Sequence, residues 1–403
     1  MKRYFSISVL LSGFLMLAGP VYSQKYIADY AVAKESVLRN IPQRFIDEAR
    51  TNFVIAYQHT SHGTHVSRGV FGLQDYKSGD NQLFAVSQSQ ETGKLDFRDN
   101  VLEAYAPSGV NAQDLSTNET AFIQTTRNFL DASENAAVNV VMWSWCNIAD
   151  HDVNINYLPG METLISEYGQ GGSKVGTGAG QREGAVHFIF MTGHANDYGN
   201  LGAQQPKEQA DLINNYCRNH QQFCLDYYSI DTRAMDNTYY EDAGDDGNSS
   251  TYGGNFYQDW QDSYTRGEHW FENKVSVGGS VAYGEHNSQH ITANRKGYAL
   301  WWILARLAGW EDGSNSVAPR NQSEEVLPYP NPTEGAFYLE LPRASIKQIQ
   351  VISTLGSEVL TLAPSELSGT IRLDMSDYAP GLYGIRLLSD REAVYHGTIL
   401  IQH

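Results

Sequence analysis

Three apolar runs, each closing on a polar tip, constrain this chain more than any other feature. Phe53–Gly63 reads FVIAYQHTSHG, Val138–Asn147 reads VNVVMWSWCN, and Ala185–Asp197 reads AVHFIFMTGHAND. Each is rich in β-branched and aromatic residues and long enough for one buried strand. Segments of helical pattern separate them: 40–50, Glu119–Asn135, Leu158–Tyr168 and 205–219. A fourth run, Phe223–Tyr228, ends before Asp231. Strands alternating with helices predict a parallel sheet covered on both faces. In such sheets ligands gather at the carboxyl ends of the strands, where all these polar tips fall.

The tips supply the candidate chemistry. Ser61 puts a hydroxyl at the end of the first strand, flanked by His59 and His62, and is read either as a nucleophile or as the cap of the next helix. His59, His62 and His65 follow an i, i+3, i+6 spacing that would serve a metal only on a regular helix. The glycine-rich stretch 169–180 precedes a strand and lacks a Gly-Lys-Ser/Thr ending, so it is not read as a phosphate loop. No motif calls for a cofactor. Residues 64–100 are expected to form a helix and loop. Residues 236–279 form a polar, acidic, aromatic insertion in which Asp242, Asp245, Asp246 and Asn248 are read as a solvated loop or a calcium ligand set. Its tyrosines and tryptophans would either stack on sugars or pack the insertion. The segment YALWWILARLAGW is apolar nearly all round and is expected to be a buried final helix, with His290 on the loop entering it.

Charge and export narrow the function. The chain has 403 residues and a formal net charge of −18, which gives no cationic footprint for nucleic acid. Lys2 and Arg3, the apolar stretch Val9–Ala18 and the small-residue site at Val21-Tyr22-Ser23 read as a signal peptide over 1–23. No later run reaches transmembrane length. Of the three cysteines, Cys217 and Cys224 are placed either to bridge or to remain buried thiols, and Cys146 stands apart. After 24–312 comes a polar linker, 313–326, and then short strands split by Gly, Pro and Ser turns over 327–403, the pattern of a small β-sandwich.

Two resemblances sharpen this. Tyr329-Pro330-Asn331-Pro332-Thr333-Glu334-Gly335, Ile349 to Gly356 and Ala379-Pro380-Gly381-Leu382-Tyr383 resemble the sorting domains of the type IX (Por) secretion system of Bacteroidota. That resemblance implies export by the type IX machinery, with secretion or attachment at the cell surface. The larger domain resembles SGNH/GDSL hydrolases, which implies a flavodoxin-like α/β/α sandwich and a serine esterase needing no cofactor. By that resemblance Ser61 is the nucleophile, the backbone of Gly109 or Ala112 and the amide of Asn147 hold the oxyanion, and His290 is the general base. The aspartate expected three residues before the histidine is Asn287, so Glu285 or a backbone carbonyl would orient the imidazole. The expected substrate is an acylated polysaccharide or another ester. The alternatives are a glycan-cleaving enzyme drawing on His59, His62, His194, Asp197 and Asp231, or a non-catalytic glycan-binding protein.

Overall fold

The structure is a computed structural model that describes residues 26–311, 324–325, 328–341, 346–353, 358–363, 369–389 and 392–402. The signal segment 1–23 and nearly all of the 313–326 linker lie outside the described residues. Contacts divide the chain into two units, Met1–Gly313 and Ser314–His403.

Seven strands build the sheet of the first unit: β1 (Ile27–Ala28), β2 (Val54–Gln58), β3 (Val86–Ser87), β4 (Leu95–Asp99), β5 (Val140–Trp143), β6 (His187–Met191) and β7 (Cys224–Leu225). Their order is β1-β7-β6-β5-β2-β4-β3, and every pairing is parallel. The helices are α1 (Glu35–Arg39), α2 (Gln43–Asn52), α3 (Thr64–Leu73), α4 (Asp80–Leu83), α5 (Ala121–Asp131), α6 (Tyr157–Tyr168), α7 (Pro206–His220), α8 (Tyr227–Asp231), α9 (Phe256–Ser263) and α10 (Ile291–Leu307).

The strand runs are apolar on both sides because each side is covered. Along β2, β5 and β6, Ile55, Tyr57, Val140, Met142, Ile189 and Met191 join a core with α1, α2, α3 and α10. The alternate residues Ala56, Val141, Trp143, Phe188 and Phe190 join a second core with α5, α6 and α7. A period of two thus divides each strand between two layers.

Four expectations are corrected. Residues 64–100 hold β3 and β4 besides α3 and α4. The lead-in before residue 40 contributes β1, on the far edge beside β7. The run from Phe223 yields only two strand residues, because the Asp226 carboxylate accepts the Ser229 N–H and starts α8. The final helix begins at Ile291, not Tyr298, so Asn294, Arg295, Lys296 and Gly297 are buried helical residues. His290 is its N-cap, and Ile291–Arg306 is buried without a break.

The strand order positions the site. From β2 the chain runs to β3 at the sheet edge, returns to β4 beside β2, then crosses over to place β5 on the other side of β2. The connection after β2 packs its helix α3 into one core, and the connection after β5 packs α6 into the other. The two tips therefore part toward opposite faces and leave a crevice between them, the switch point of an open parallel sheet.

In the second unit, antiparallel pairings link Gln348–Ser353, Glu358–Leu362, Gly381–Ser389 and Glu392–Ile401, with a short parallel strand, Glu324–Glu325, at the edge. A second antiparallel pair, Ala336–Glu340 with Thr370–Asp374, shares one core with them through Phe337, Leu373, Val351 and Ile385. No helix among the described residues is long and apolar enough to cross a membrane.

Helices α3 and α10 touch at Gly69 and Gly297. A Cβ on Gly69 would sit 2.0 Å from the Ala293 carbonyl oxygen, a backbone atom that no rotamer change can move away. Gly69→Ala is expected to lower unfolding free energy by ~3 kcal/mol, at the upper end of overpacking costs, read as a reduced urea midpoint with unchanged slope.

Candidate functional site

The β2 tip turns sharply. Ser61 adopts φ +29, a strained value for a residue with a Cβ, and Ser61–Gly63 forms a single 3₁₀ turn before α3. Ser61 does not cap that helix. The N-cap is Gly63, without a side-chain bond. The turn is braced from three sides: Thr60 Oγ1 donates to Asp114, Tyr227 Oη donates to His62 O at 2.8 Å, and Tyr57 Oη donates to Gly63 O at 2.9 Å. A side chain at Gly63 would collide with His59 Cβ at 2.2 Å, so glycine lets the turn lie against its own strand.

This turn sends its three histidines to three different places. His59 Nε2 meets Asp99 Oδ1 at 2.9 Å, at the β4 tip. His65 is fully buried on α3, with Nε2 donating to the Glu285 carbonyl at 2.8 Å and Nδ1 facing Lys296 Nζ at 3.3 Å. His62 enters the crevice, its Nδ1 3.7 Å from Cys146 Sγ at the β5 tip and its Nε2 3.2 Å from Asp245 Oδ2. These three histidines therefore do not converge on one point. The His62 ring stacks on His194 from the β6 tip, with centroids 3.7 Å apart and planes 11° apart, and His286 stacks on it at 4.7 Å.

Electrostatics follow from these contacts. Burial works against a charged His62, but the nearby Asp245 carboxylate and Cys146 sulfur outweigh it and raise its pKa to about 9. The hydrogen bond from His62 lowers the Cys146 thiol against the opposing effect of burial. Burial, with the nearby His62 charge, brings His194 down to about 4. Beneath the crevice lies a buried polar network. Lys296 Nζ donates to Asp231 Oδ1 at 2.6 Å, both side chains being fully enclosed, and Asp231 Oδ2 accepts the Ala195 N–H at 3.1 Å. The Lys296 ammonium also lies 3.9 Å from the centre of the Tyr227 ring.

The other residues expected at the site lie as follows. His290 is buried among Trp270, Tyr283 and Asn273, whose N–H donates to its Nδ1 at 3.2 Å, and burial lowers its pKa to about 4. Glu285 directs its carboxylate to Arg68 at 2.7 Å instead of to an imidazole. Asn147 is exposed just beyond Cys146, its Oδ1 accepting the Ala149 N–H. Gly109 occupies an exposed turn closed by the Pro107 carbonyl and the Val110 N–H, whereas its neighbour Asp114 reaches the β2 tip through Thr60. Ala112 is buried and donates its N–H to the Glu103 carboxylate. Cys217 and Cys224 are free buried thiols.

Sequence reasoning missed three participants. Cys146 was visible as part of a polar tip, and Asp245 as one acidic residue in a loop of several. Lys296 carried no signal, because an ionic residue inside an apolar helix reads as a boundary. Lys296→Met is expected to cost about 3–5 kcal/mol by leaving Asp231 buried without its cation, and Lys296→Met combined with Asp231→Leu is expected to recover much of that loss. Denaturant midpoints of the two variants against the parent check this.

The sequence of this chain finds no match among curated proteins. Among solved structures, the CBM51-2 and INT domains of Clostridium perfringens ZmpB share 17% identity with it over 20% of this chain, at a TM-score of 0.15. The match spans 18% of that chain, and at that score it bears on neither fold nor activity. Residues 328–402 match the secretion system C-terminal sorting domain, so the second unit is a type IX sorting domain and the chain is an exported protein directed to the cell surface.

Proposed function

We propose that the first unit is an ester hydrolase, acting outside the cell on acyl groups carried by a polysaccharide. One observation carries this reading: the His62 imidazole stands between a nucleophile and a carboxylate, with Cys146 Sγ at 3.7 Å and Asp245 Oδ2 at 3.2 Å, in the crevice between β2 and β5. These separations are looser than working hydrogen bonds, as is common before substrate closes a site.

The SGNH resemblance pointed to Ser61 as nucleophile, and the imidazole contact favours its neighbour Cys146. In the proposed reaction the Cys146 thiolate attacks the ester carbonyl, and the C–O bond breaks as His62 gives its proton to the departing alcohol. Water then attacks the thioester, His62 takes its proton, and the free acid leaves with the thiolate restored. Asp245 holds the ring and balances the imidazolium. Asn147, whose Oδ1 is occupied by Ala149, has its amide N–H groups for the oxyanion.

A cleft of about 410 Å³ bordered by Asp197, Tyr198, Asp242, Asn248 and Ser249 adjoins this site, since Gly244, next to Asp245, packs against Asp197. Tyr198 is 76% exposed and the rim is otherwise polar, features suited to a sugar ring and its hydroxyls. The surplus of negative charge disfavours anionic substrates. A glycosidase built on Asp197 and Asp231 has less support, because Asp231 is sealed from solvent and bound to Lys296.

On a chromogenic acetyl ester, Cys146→Ala and His62→Ala are each expected to lower kcat/KM by at least ~100-fold, with the fold intact by circular dichroism. Full turnover by Cys146→Ala combined with loss in Ser61→Ala would return the nucleophile to the hydroxyl. New reducing ends instead of free acid from an acetylated polysaccharide would replace the esterase reading.

A further inference from the structure

The side chains that touch His62 also form a set of metal-ligand atoms that hydrolysis does not require. His62, His194 and Asp245 each offer one ligand atom, and these atoms lie within 4.8 Å of one another. His194 Nδ1 is bonded to the Ala195 carbonyl at 2.5 Å, which leaves Nε2 as its ligand atom. The Ala195 N–H is in turn held by Asp231, itself fixed by Lys296. His62 Nδ1 is engaged by Cys146, which leaves Nε2 beside Asp245. Each imidazole is thus oriented through its second nitrogen, the arrangement that positions metal-binding histidines. Asp245 Oδ2 is buried without an aligned hydrogen-bond donor, despite its short approach to His62. Two imidazoles and one carboxylate suit a transition-metal dication better than calcium or magnesium, which take oxygen ligands.

We propose that His62, His194 and Asp245 bind Zn²⁺, and that the bound ion switches the hydrolase off. The second half rests on the esterase reading above. With Zn²⁺ on Nε2, His62 can no longer cycle a proton between the Cys146 sulfur, the leaving alcohol and water, so acyl transfer stops. Tetrahedral zinc sets its ligands about 3.3 Å apart, so the nearly parallel rings of His62 and His194 must fan open as the ion enters. That rearrangement costs part of the binding energy, and a fourth position is left for water.

The test uses the mature full-length protein, titrated with zinc chloride against a colorimetric chelator. One equivalent should bind per chain, and His194→Gln and Asp245→Asn should each weaken binding by at least about tenfold, with His194→Ala as a second variant if the glutamine still ligates. Zinc should reduce ester turnover in parallel with binding, EDTA should restore it, and the inhibition midpoint of His194→Gln should rise by the same factor as its affinity falls. Binding that is absent, or that ignores both substitutions, overturns the site. Turnover that rises with zinc overturns the switch. A protein that binds one equivalent through His194 yet hydrolyses no ester, with or without zinc, keeps the site and loses both the switch and the esterase reading.

Discussion

The site depends on the change of direction at β2. A parallel sheet that grew one way only would send every tip loop to the same face, and no gap would open. Here the neighbours of β2 are β4 and β5, reached on opposite sides, so α3 and α6 draw their loops apart. Ser61 and His62 come from one lip of the gap and Cys146 from the other. The β6 tip adds His194, and the long insertion folds back to add Asp245. His62 and Asp245, 183 positions apart in sequence, meet because backbone topology, not local preference, brings them together.

Beneath the lips, the Lys296–Asp231 ion pair sits in a place where charge is costly. Burial alone would raise Asp231 and lower Lys296, and both shifts are present even though each partner opposes the other's. Such a pair adds little net stability over an apolar one. What it adds is position: Asp231 fixes Ala195 beside His194, and Lys296 faces the inner nitrogen of His65. The glycine contact between α3 and α10 lets Lys296 approach that closely. The crevice floor is therefore fixed by the last helix of the unit, over 200 residues after the strand whose tip it supports.

Much of this frame was legible in the sequence. The apolar runs ending at Gln58, Trp143 and Met191 gave strands because β-branched and aromatic residues stood together and stopped at polar groups. What stayed hidden was short or non-local. β1 and β7 have two residues each and show no period. The four-residue patch at 83–86 gave no sign that β3 and β4 follow one another. His290 stood at the expected distance before the final helix, yet spacing along a chain does not fix where a side chain points, and its ring turned to Trp270 and Asn273. Asp245 lay among similar carboxylates, and only coordinates separate the one that meets His62. The sorting motif was legible throughout because its signature is local: turns and short strands at fixed intervals.

That second unit encloses its own core, with Phe337, Val351, Leu373 and Ile385 sealed without borrowing from the first. The address thus has a core built from its own residues. Substitutions that reshape the crevice touch none of the side chains that build this core, so the shipping label and its cargo can vary in sequence apart from one another.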